Sequence, residues 1–146
     1  YKMLHLPDGL SQDSLHMLMT CEPQIKEIGD LISRTDVLLF GIGTAMRMAD
    51  QRHITDDVRK QLVDNHAVGE ALGQYCDIEG KLIYSTNNIG LSLPDVVKVP
   101  NVIAVAGGQE KASAIIGVMR ACQKGILIID EQAAEGMRQL LQISAL

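Results

Sequence analysis

Short apolar runs alternate with segments of helical periodicity along the whole sequence. Three runs, at residues 37–40, 102–106 and 126–129, consist almost entirely of Val, Ile, Leu, Ala and Phe. Continuous runs of this kind are typical of strands that a parallel sheet buries on both faces. Each run leads into a segment whose apolar residues recur every three or four positions, the spacing of an amphipathic helix. The pattern predicts an α/β fold with a mainly parallel sheet.

Residues with clear preferences for helix ends mark where several helices begin. Ser11 is placed to cap a helix that runs to about residue 20, and Pro23 suits the first turn of the next helix. Asp130 follows the third apolar run directly and can cap the last helix. A polar helix is expected over residues 55–63.

Two further segments predict strands outside these three runs. Residues 2–6 resemble a short strand closed by Pro7-Asp8-Gly9. Residues 69–76 and 81–84 flank Asp77-Ile78-Glu79-Gly80, and we expect them to form a β-hairpin with a glycine-containing turn.

Composition narrows the class of protein. The 146 residues are 47% hydrophobic and 21% charged, with 13 Gly and 4 Pro, which excludes a disordered or low-complexity chain. The longest apolar stretches are far shorter than the roughly 20 residues that cross a bilayer. No cationic-then-apolar leader opens the sequence, so we expect a cytoplasmic domain with no membrane partner. A start at Tyr1 resembles a trimmed fragment more than a natural terminus.

Charge and cysteine content limit the possible partners. The net charge is −5 and no basic cluster is present, so this chain alone is a poor binder of DNA. Cys21, Cys76 and Cys122 are an odd number without metal-ligand spacing, which fits a reducing compartment rather than a disulfide framework or a zinc site. His53 and His66 show no metal-ligand spacing either. We therefore expect no metal, no cofactor and no catalytic nucleophile.

The ends of the predicted strands carry the most informative chemistry. Glycines follow two of them, Gly41 and Gly43 after the first and Gly107 and Gly108 after the second. In an open α/β sheet these turns meet at the carboxyl edge, where ligands bind. Lys111 lies in the first helical turn after Gly108, where a cation is slightly unfavourable for the helix unless an anion binds there. We interpret this as a phosphate site; the alternative is a tight turn followed by a solvated lysine.

Two charged residues nearby admit two interpretations each. Arg52 ends an apolar-faced helix and either clamps an anion or faces water. Glu70 lies in an apolar stretch, where it either accepts hydrogen bonds from sugar hydroxyls or points to solvent from a strand. Gly41-Ile42-Gly43 does not complete a dinucleotide-binding motif, because Met46 stands where the third glycine belongs.

Several of these segments together resemble a known family. The block Val102–Ile116, with Ala-Gly-Gly-Gln-Glu-Lys-Ala at its centre, and the later Ile126–Ala134 are similar to the effector-binding domain of SorC-type sugar-responsive bacterial transcription regulators. Leu39–Gly43, Ala67–Gly73 and Ile89–Leu93 add to the resemblance. It covers about Met3 to Leu141, nearly the whole chain.

The resemblance implies a Rossmann-like three-layer fold of the ribose-phosphate isomerase and glucosamine-phosphate deaminase type. It implies a phosphorylated sugar as effector, such as fructose 1,6-bisphosphate, which alters assembly on operator DNA. By position, Lys111 resembles the family's phosphate-binding lysine, Glu70 its sugar-contacting acid, and Arg52 or Gln51 its second phosphate contact. Gly107 and Gly108 match the turn beside the lysine.

The chain also departs from the family pattern. Gln51 stands where an arginine is expected, and Ile129 stands where the family more often carries threonine. The family's N-terminal helix-turn-helix and its first phosphate loop are not in this sequence. We therefore expect residues 1–146 to be part of an effector-binding and oligomerisation domain. The assembled protein is expected to be a dimer or a tetramer. It is expected to reach operator DNA only through a domain outside this chain.

Two other functions remain open at this point. A sugar-phosphate isomerase or deaminase of the same fold needs a general base and a proton shuttle; Glu70 could be the first, and no second group stands out. A structural dimerisation module with a vestigial pocket is the third possibility. We expect a regulator rather than an enzyme.

Overall fold

The fold has two sheets with helices packed against them. The computed structural model describes residues 1–6 and 9–142. The α-helices in these ranges are α1 (Gln12–Cys21), α2 (Pro23–Ser33), α3 (Ala45–Gln51), α4 (Asp56–Asp64), α5 (Ala112–Cys122) and α6 (Glu131–Leu140). The strands are β1 (Val37–Gly41), β2 (Gly43–Thr44), β3 (Gly69–Ala71), β4 (Gln74–Cys76), β5 (Leu82–Ser85), β6 (Asn101–Ala106) and β7 (Ile126–Ile129). Short 3₁₀ helices precede β6 and α5.

The three apolar runs form a parallel sheet, as predicted. Its strand order is β1-β6-β7, and both strand pairs are parallel. Helices α5 and α6 pack together beside it, and the core includes their apolar residues and those of alternate strand positions such as Val102 and Ala104. The mixed α/β class with a parallel sheet is confirmed.

The other face of this sheet is exposed, which corrects the expectation of burial on both faces. Leu39 is 66% exposed and Ile126 is 64% exposed, with Val37, Val105 and Ile128 also exposed. Strand residues alternate between faces, and the helices in the described part of the chain cover only the face that carries Val102 and Ala104. The apolar runs were correctly placed as strands, but the sequence alone did not show which layers cover them.

A second, antiparallel sheet has the order β2-β3-β4-β5. The predicted hairpin is present, because β4 and β5 pair on either side of residues 77–81. The expected single strand 69–76 is divided into β3 and β4, which is a correction. Leu72 and Gly73 have φ values of 54° and 78°, so they form a tight two-residue turn of the kind that joins antiparallel strands.

The helix ends agree closely with the sequence-based expectations. The Ser11 side chain accepts a hydrogen bond from Ser14 N at the start of α1, and Pro23 opens α2. The strand expected at residues 2–6 is wrong, since these residues pair with no strand in the described ranges. An extended segment becomes a strand only when a neighbour satisfies its backbone groups. Pro7 and Asp8, expected to close it, lie outside the described residues.

The three cysteines are free thiols in different surroundings. Cys21 is exposed, whereas Cys76 and Cys122 are buried in the core. Burial raises the pKa of Cys76 to about 12 and that of Cys122 to about 11, because the apolar surroundings disfavour the thiolate. Among residues 1–6 and 9–142, no helix combines the length and the apolar character needed to cross a membrane.

We predict that Cys21 alone reacts with a thiol reagent at pH 8 in the folded protein, because Cys21 is exposed whereas Cys76 and Cys122 are buried and burial raises the pKa of both. Ellman titration should give one fast thiol under native conditions and three in denaturant. The Cys21→Ser variant should show no fast thiol. Three fast thiols in the native wild type would contradict the buried positions of Cys76 and Cys122.

Candidate functional site

A cleft opens at the carboxyl end of the parallel sheet, where the chain passes from β1 to β2. Between these strands, Ile42 N donates a hydrogen bond to Val105 O of β6 at 3.3 Å, which ties the crossing segment to the sheet. The cleft has a volume of about 410 Å³. It is lined by Phe40, Gly41, Ile42, Gly43, Arg47, Met48, Gln51, Arg52, Glu70, Leu72, Val105 and Lys111.

A buried carboxylate lies in the wall of this cleft. Glu70 is only 3% exposed and sits on β3, opposite Gly43 of β2. Its Oε1 accepts a hydrogen bond from Arg52 Nη2 at 3.2 Å and another from Gly73 N at 2.6 Å. A buried carboxylate is tolerated when it is paired and hydrogen-bonded in this way. Glu70 therefore joins the end of α3 to the turn between β3 and β4.

The cleft carries more positive than negative charge. Arg47 and Arg52 come from α3 and its C-terminal cap, and Lys111 comes from the N-cap of α5. Glu70 is the one carboxylate among the lining residues. Arg52 is paired with it, whereas neither Arg47 nor Lys111 forms a salt bridge with any residue in the described ranges. The cleft is therefore electrostatically suited to an anion.

The Gly107-Gly108 turn is arranged differently from the sequence-based expectation. Gly108 N donates to both carboxylate oxygens of Asp130, at 2.9 and 3.1 Å, so an internal carboxylate takes the place expected for a phosphate. A Cβ at Gly107 would meet Asp130 Oδ2 at 2.7 Å, so a glycine there makes room for this contact. Asp130 Oδ1 also accepts from Ala133 N at 2.8 Å and caps α6, as predicted.

The structure thus brings together six of the eight residues singled out from the sequence. Gly41, Gly43, Gln51, Arg52, Glu70 and Lys111 line the cleft, while Gly107 and Gly108 do not. Sequence analysis missed Arg47 and the apolar wall that includes Met48 and Leu72. Arg47 lies four residues before Gln51 on one face of α3, but that spacing points to a site only once the fold places α3 beside the cleft. No contact identifies a ligand, so the binding roles stay predictions.

A larger cleft of about 690 Å³ lies between α1, α2 and residues 85–92. Its lining contains no Asp, Glu, Lys or Arg and consists of His16 with amides, hydroxyls and aliphatic side chains. It shares no lining residue with the cleft at the strand ends, and it offers an anion no lysine or arginine. In the described residues there is no group of three or more His, Cys, Asp or Glu side chains that could hold a metal.

The fold and the cleft define a class of protein that the sequence comparisons identify independently. The chain belongs to the family described as "Putative sugar-binding domain", whose model matches residues 1–139. Among curated relatives, the central glycolytic genes regulator of Priestia megaterium is 38% identical over 135 residues, which are 92% of this chain and 39% of that protein. The regulator of the same name from Bacillus subtilis (strain 168) is 36% identical, again over 92% of this chain and 39% of the relative. The chain therefore spans about two fifths of the length of these relatives.

Solved structures agree with this assignment. The crystal structure of "the putative SorC family transcriptional regulator from Enterococcus faecalis" matches with a TM-score of 0.85 and 38% identity, over 94% of this chain and 56% of that one. The full-length sorbitol operon regulator SorC from Klebsiella pneumoniae shares the fold, with a TM-score of 0.73 and 24% identity over 91% of this chain and 44% of that one. The resemblance to SorC-type regulators is confirmed.

We predict that breaking the Arg52–Glu70 pair lowers stability. Arg52→Met leaves the buried Glu70 carboxylate without its cation. We expect the free energy of unfolding to fall by about 3 kcal/mol. This value is at the low end for a buried pair, because the Arg52 side chain is 27% exposed. Chemical denaturation measures the loss. Arg52→Met/Glu70→Gln removes both charges and should recover part of it, and a double variant less stable than Arg52→Met would contradict the pairing.

A second prediction concerns the pH dependence of stability. Hydrogen bonds from Ala133 N and then Gly108 N hold the pKa of Asp130 below its ordinary value of 3.8. The ionised carboxylate of Asp130 is thus favoured in the folded state. Its contribution to the free energy of unfolding is present above pH 3.8 and is lost as the pH falls through the folded-state pKa. Asp130→Asn keeps a capping side chain without the charge. Its melting temperature should lie below that of wild type at pH 7 and approach it at pH 3.

Asp64→Asn is the matched control, because Asp64 is exposed at the end of α4. This variant should follow the wild-type melting temperature across the same pH range. An Asp130→Asn deficit that stays constant from pH 7 to pH 3 would show that the charge of Asp130 is not what stabilises the turn.

Proposed function

We propose that this chain is the effector-binding and oligomerisation domain of a bacterial transcription regulator of sugar or glycolytic genes. Its effector is a phosphorylated sugar such as fructose 1,6-bisphosphate. The relatives named above are regulators of this kind, and the family is described by sugar binding. The observation that carries the proposal is the cleft at the strand ends, with three cations around one buried carboxylate.

Lys111 supplies the contact to a phosphate. It stands at the N-cap of α5, where the helix dipole makes a cation unfavourable and an anion favourable. A phosphate between its ammonium and the start of α5 interacts favourably with the positive charge of Lys111 and with the positive end of the helix dipole. Since the Gly108 amide is occupied by Asp130, the ammonium of Lys111 rather than the Gly107-Gly108 turn carries the main contact.

Glu70 supplies the contact to the sugar. Its carboxylate is fixed by Arg52 and Gly73, so it needs no reordering when a ligand binds. A carboxylate held in this way accepts hydrogen bonds from sugar hydroxyls. The same contacts tie Glu70 Oε1 to Arg52 and Gly73, so the carboxylate is placed as a fixed acceptor rather than as a mobile proton carrier. This supports a binding domain over the isomerase or deaminase alternative.

Effector binding regulates transcription through a shift between two arrangements of the assembled protein. A ligand moves such an equilibrium only by the difference in its affinity for the two states. The cleft lies between α3 and the start of α5, so a ligand that bridges them stabilises one relative placement of these helices. Because this chain is acidic, with a net charge of −5, operator DNA is bound through a separate DNA-binding domain. The regulator acts in the cytoplasm.

We predict that fructose 1,6-bisphosphate raises the melting temperature of the protein. A ligand at about 100 times its dissociation constant contributes about 2.7 kcal/mol, which is a rise on the order of 5–10 °C for a domain of this size. Lys111→Gln should weaken binding about 10- to 100-fold, the range expected for a charged hydrogen bond. Calorimetric titration gives the affinities.

Lys60→Gln is the matched control, because Lys60 is an exposed lysine on α4, outside the cleft. It should bind like wild type. A titration with inorganic phosphate tests whether an anion without the sugar binds the protein and raises its melting temperature. Equal affinities of wild type and Lys111→Gln would contradict the proposed site, and turnover of a ribose or glucosamine phosphate would support the enzyme alternative instead.

A further inference from the structure

The cleft holds two cations that its own carboxylate does not neutralise. Arg52 is paired with Glu70, while Arg47 and Lys111 reach the same cleft from different elements, α3 and the N-cap of α5. We propose that Arg47 binds a second anionic group of the ligand and thereby selects sugars with two phosphates over sugars with one. The inference rests on the proposed function, because it assumes that Lys111 binds the first phosphate.

The position of Arg47 on α3 supports this assignment. Arg47 and Gln51 are separated by four residues, so they lie on one face of the helix, and both line the cleft. Gly43 leaves room for the Met48 side chain of that helix, because a Cβ at Gly43 would meet Met48 Cγ. Helix α3 begins directly after β2, the strand that pairs with Glu70, so Arg47 in its first turn lies near that strand.

Arg47 fits the role better than the two residues proposed from sequence. Arg52 is only partly exposed and its guanidinium donates to Glu70, so binding a phosphate there would weaken the contact that stabilises a buried carboxylate. Gln51 carries no charge. Arg47 is exposed, keeps its full charge, and has a planar guanidinium that can donate two parallel hydrogen bonds to phosphate.

The test compares a bisphosphate with monophosphates on single variants of the intact protein. The probes are fructose 1,6-bisphosphate, fructose 1-phosphate and fructose 6-phosphate. Arg47→Gln should weaken binding of the bisphosphate about 10- to 100-fold and change the affinity for the tighter-binding monophosphate less than about twofold. Arg47→Lys should recover part of the bisphosphate affinity, and Lys60→Gln should change none of the affinities.

Each other outcome overturns the inference in a recognisable way. If Arg47→Gln weakens bisphosphate and monophosphate equally, Arg47 acts on the cleft as a whole and does not read a second phosphate. If it changes neither while Lys111→Gln weakens both, the proposed function stands and the role of Arg47 is wrong. If wild type and Lys111→Gln bind all three probes equally, the proposed function fails together with this inference.

Discussion

The buried carboxylate of Glu70 imposes the constraint on which the cleft depends. Removing a carboxylate from water is costly unless its charge is paired and its oxygens are hydrogen-bonded. Glu70 meets this requirement with the guanidinium of Arg52 and the amide of Gly73. To supply these partners, α3 has to end beside β3, and the turn after β3 has to fold back on its own strand.

This constraint also explains the local backbone. Leu72 adopts a positive φ of 54°, which is unfavourable for a branched side chain outside a tight turn. Leu72 lies in the tight turn between β3 and β4, and the hydrogen bond from Gly73 N to Glu70 Oε1 at 2.6 Å fixes that turn against the carboxylate. Because Gly43 pairs with Glu70, the small antiparallel sheet is attached to the chain directly after the parallel strand β1. The Glu70 side chain thus links the antiparallel sheet to the end of α3 in the wall of the cleft.

The sequence predicted correctly those features that depend on residues close to each other in the chain. The strand β7, the caps at Ser11 and Asp130, and the helix opened by Pro23 follow from side-chain chemistry within a few residues of each feature. It could not predict contacts whose partner lies far away in the sequence. The carboxylate at the Gly108 amide comes from Asp130, 22 residues later, and no local rule distinguishes it from a bound phosphate.

The same limit applies to burial and to the site. The run at residues 37–40 predicts a strand correctly, but whether Leu39 is covered depends on layers that the run does not encode. Lys111, Glu70 and Arg52 could be proposed from the sequence because charges in apolar or glycine-rich contexts stand out there, and all three line the cleft. Arg47 was missed because, on a seven-residue helix, it resembles any exposed arginine until the fold places α3 beside the cleft.

The central claim is that a phosphorylated sugar binds in the cleft at the strand ends. The most direct measurement is an amide ¹H–¹⁵N NMR titration of the protein with fructose 1,6-bisphosphate. We expect saturable shifts in residues 41–43, in α3 and around Lys111, with little change in α1 and residues 85–92, which line the larger cleft. Shifts confined to α1, α2 and residues 85–92 would contradict the account and place the ligand in the other cleft.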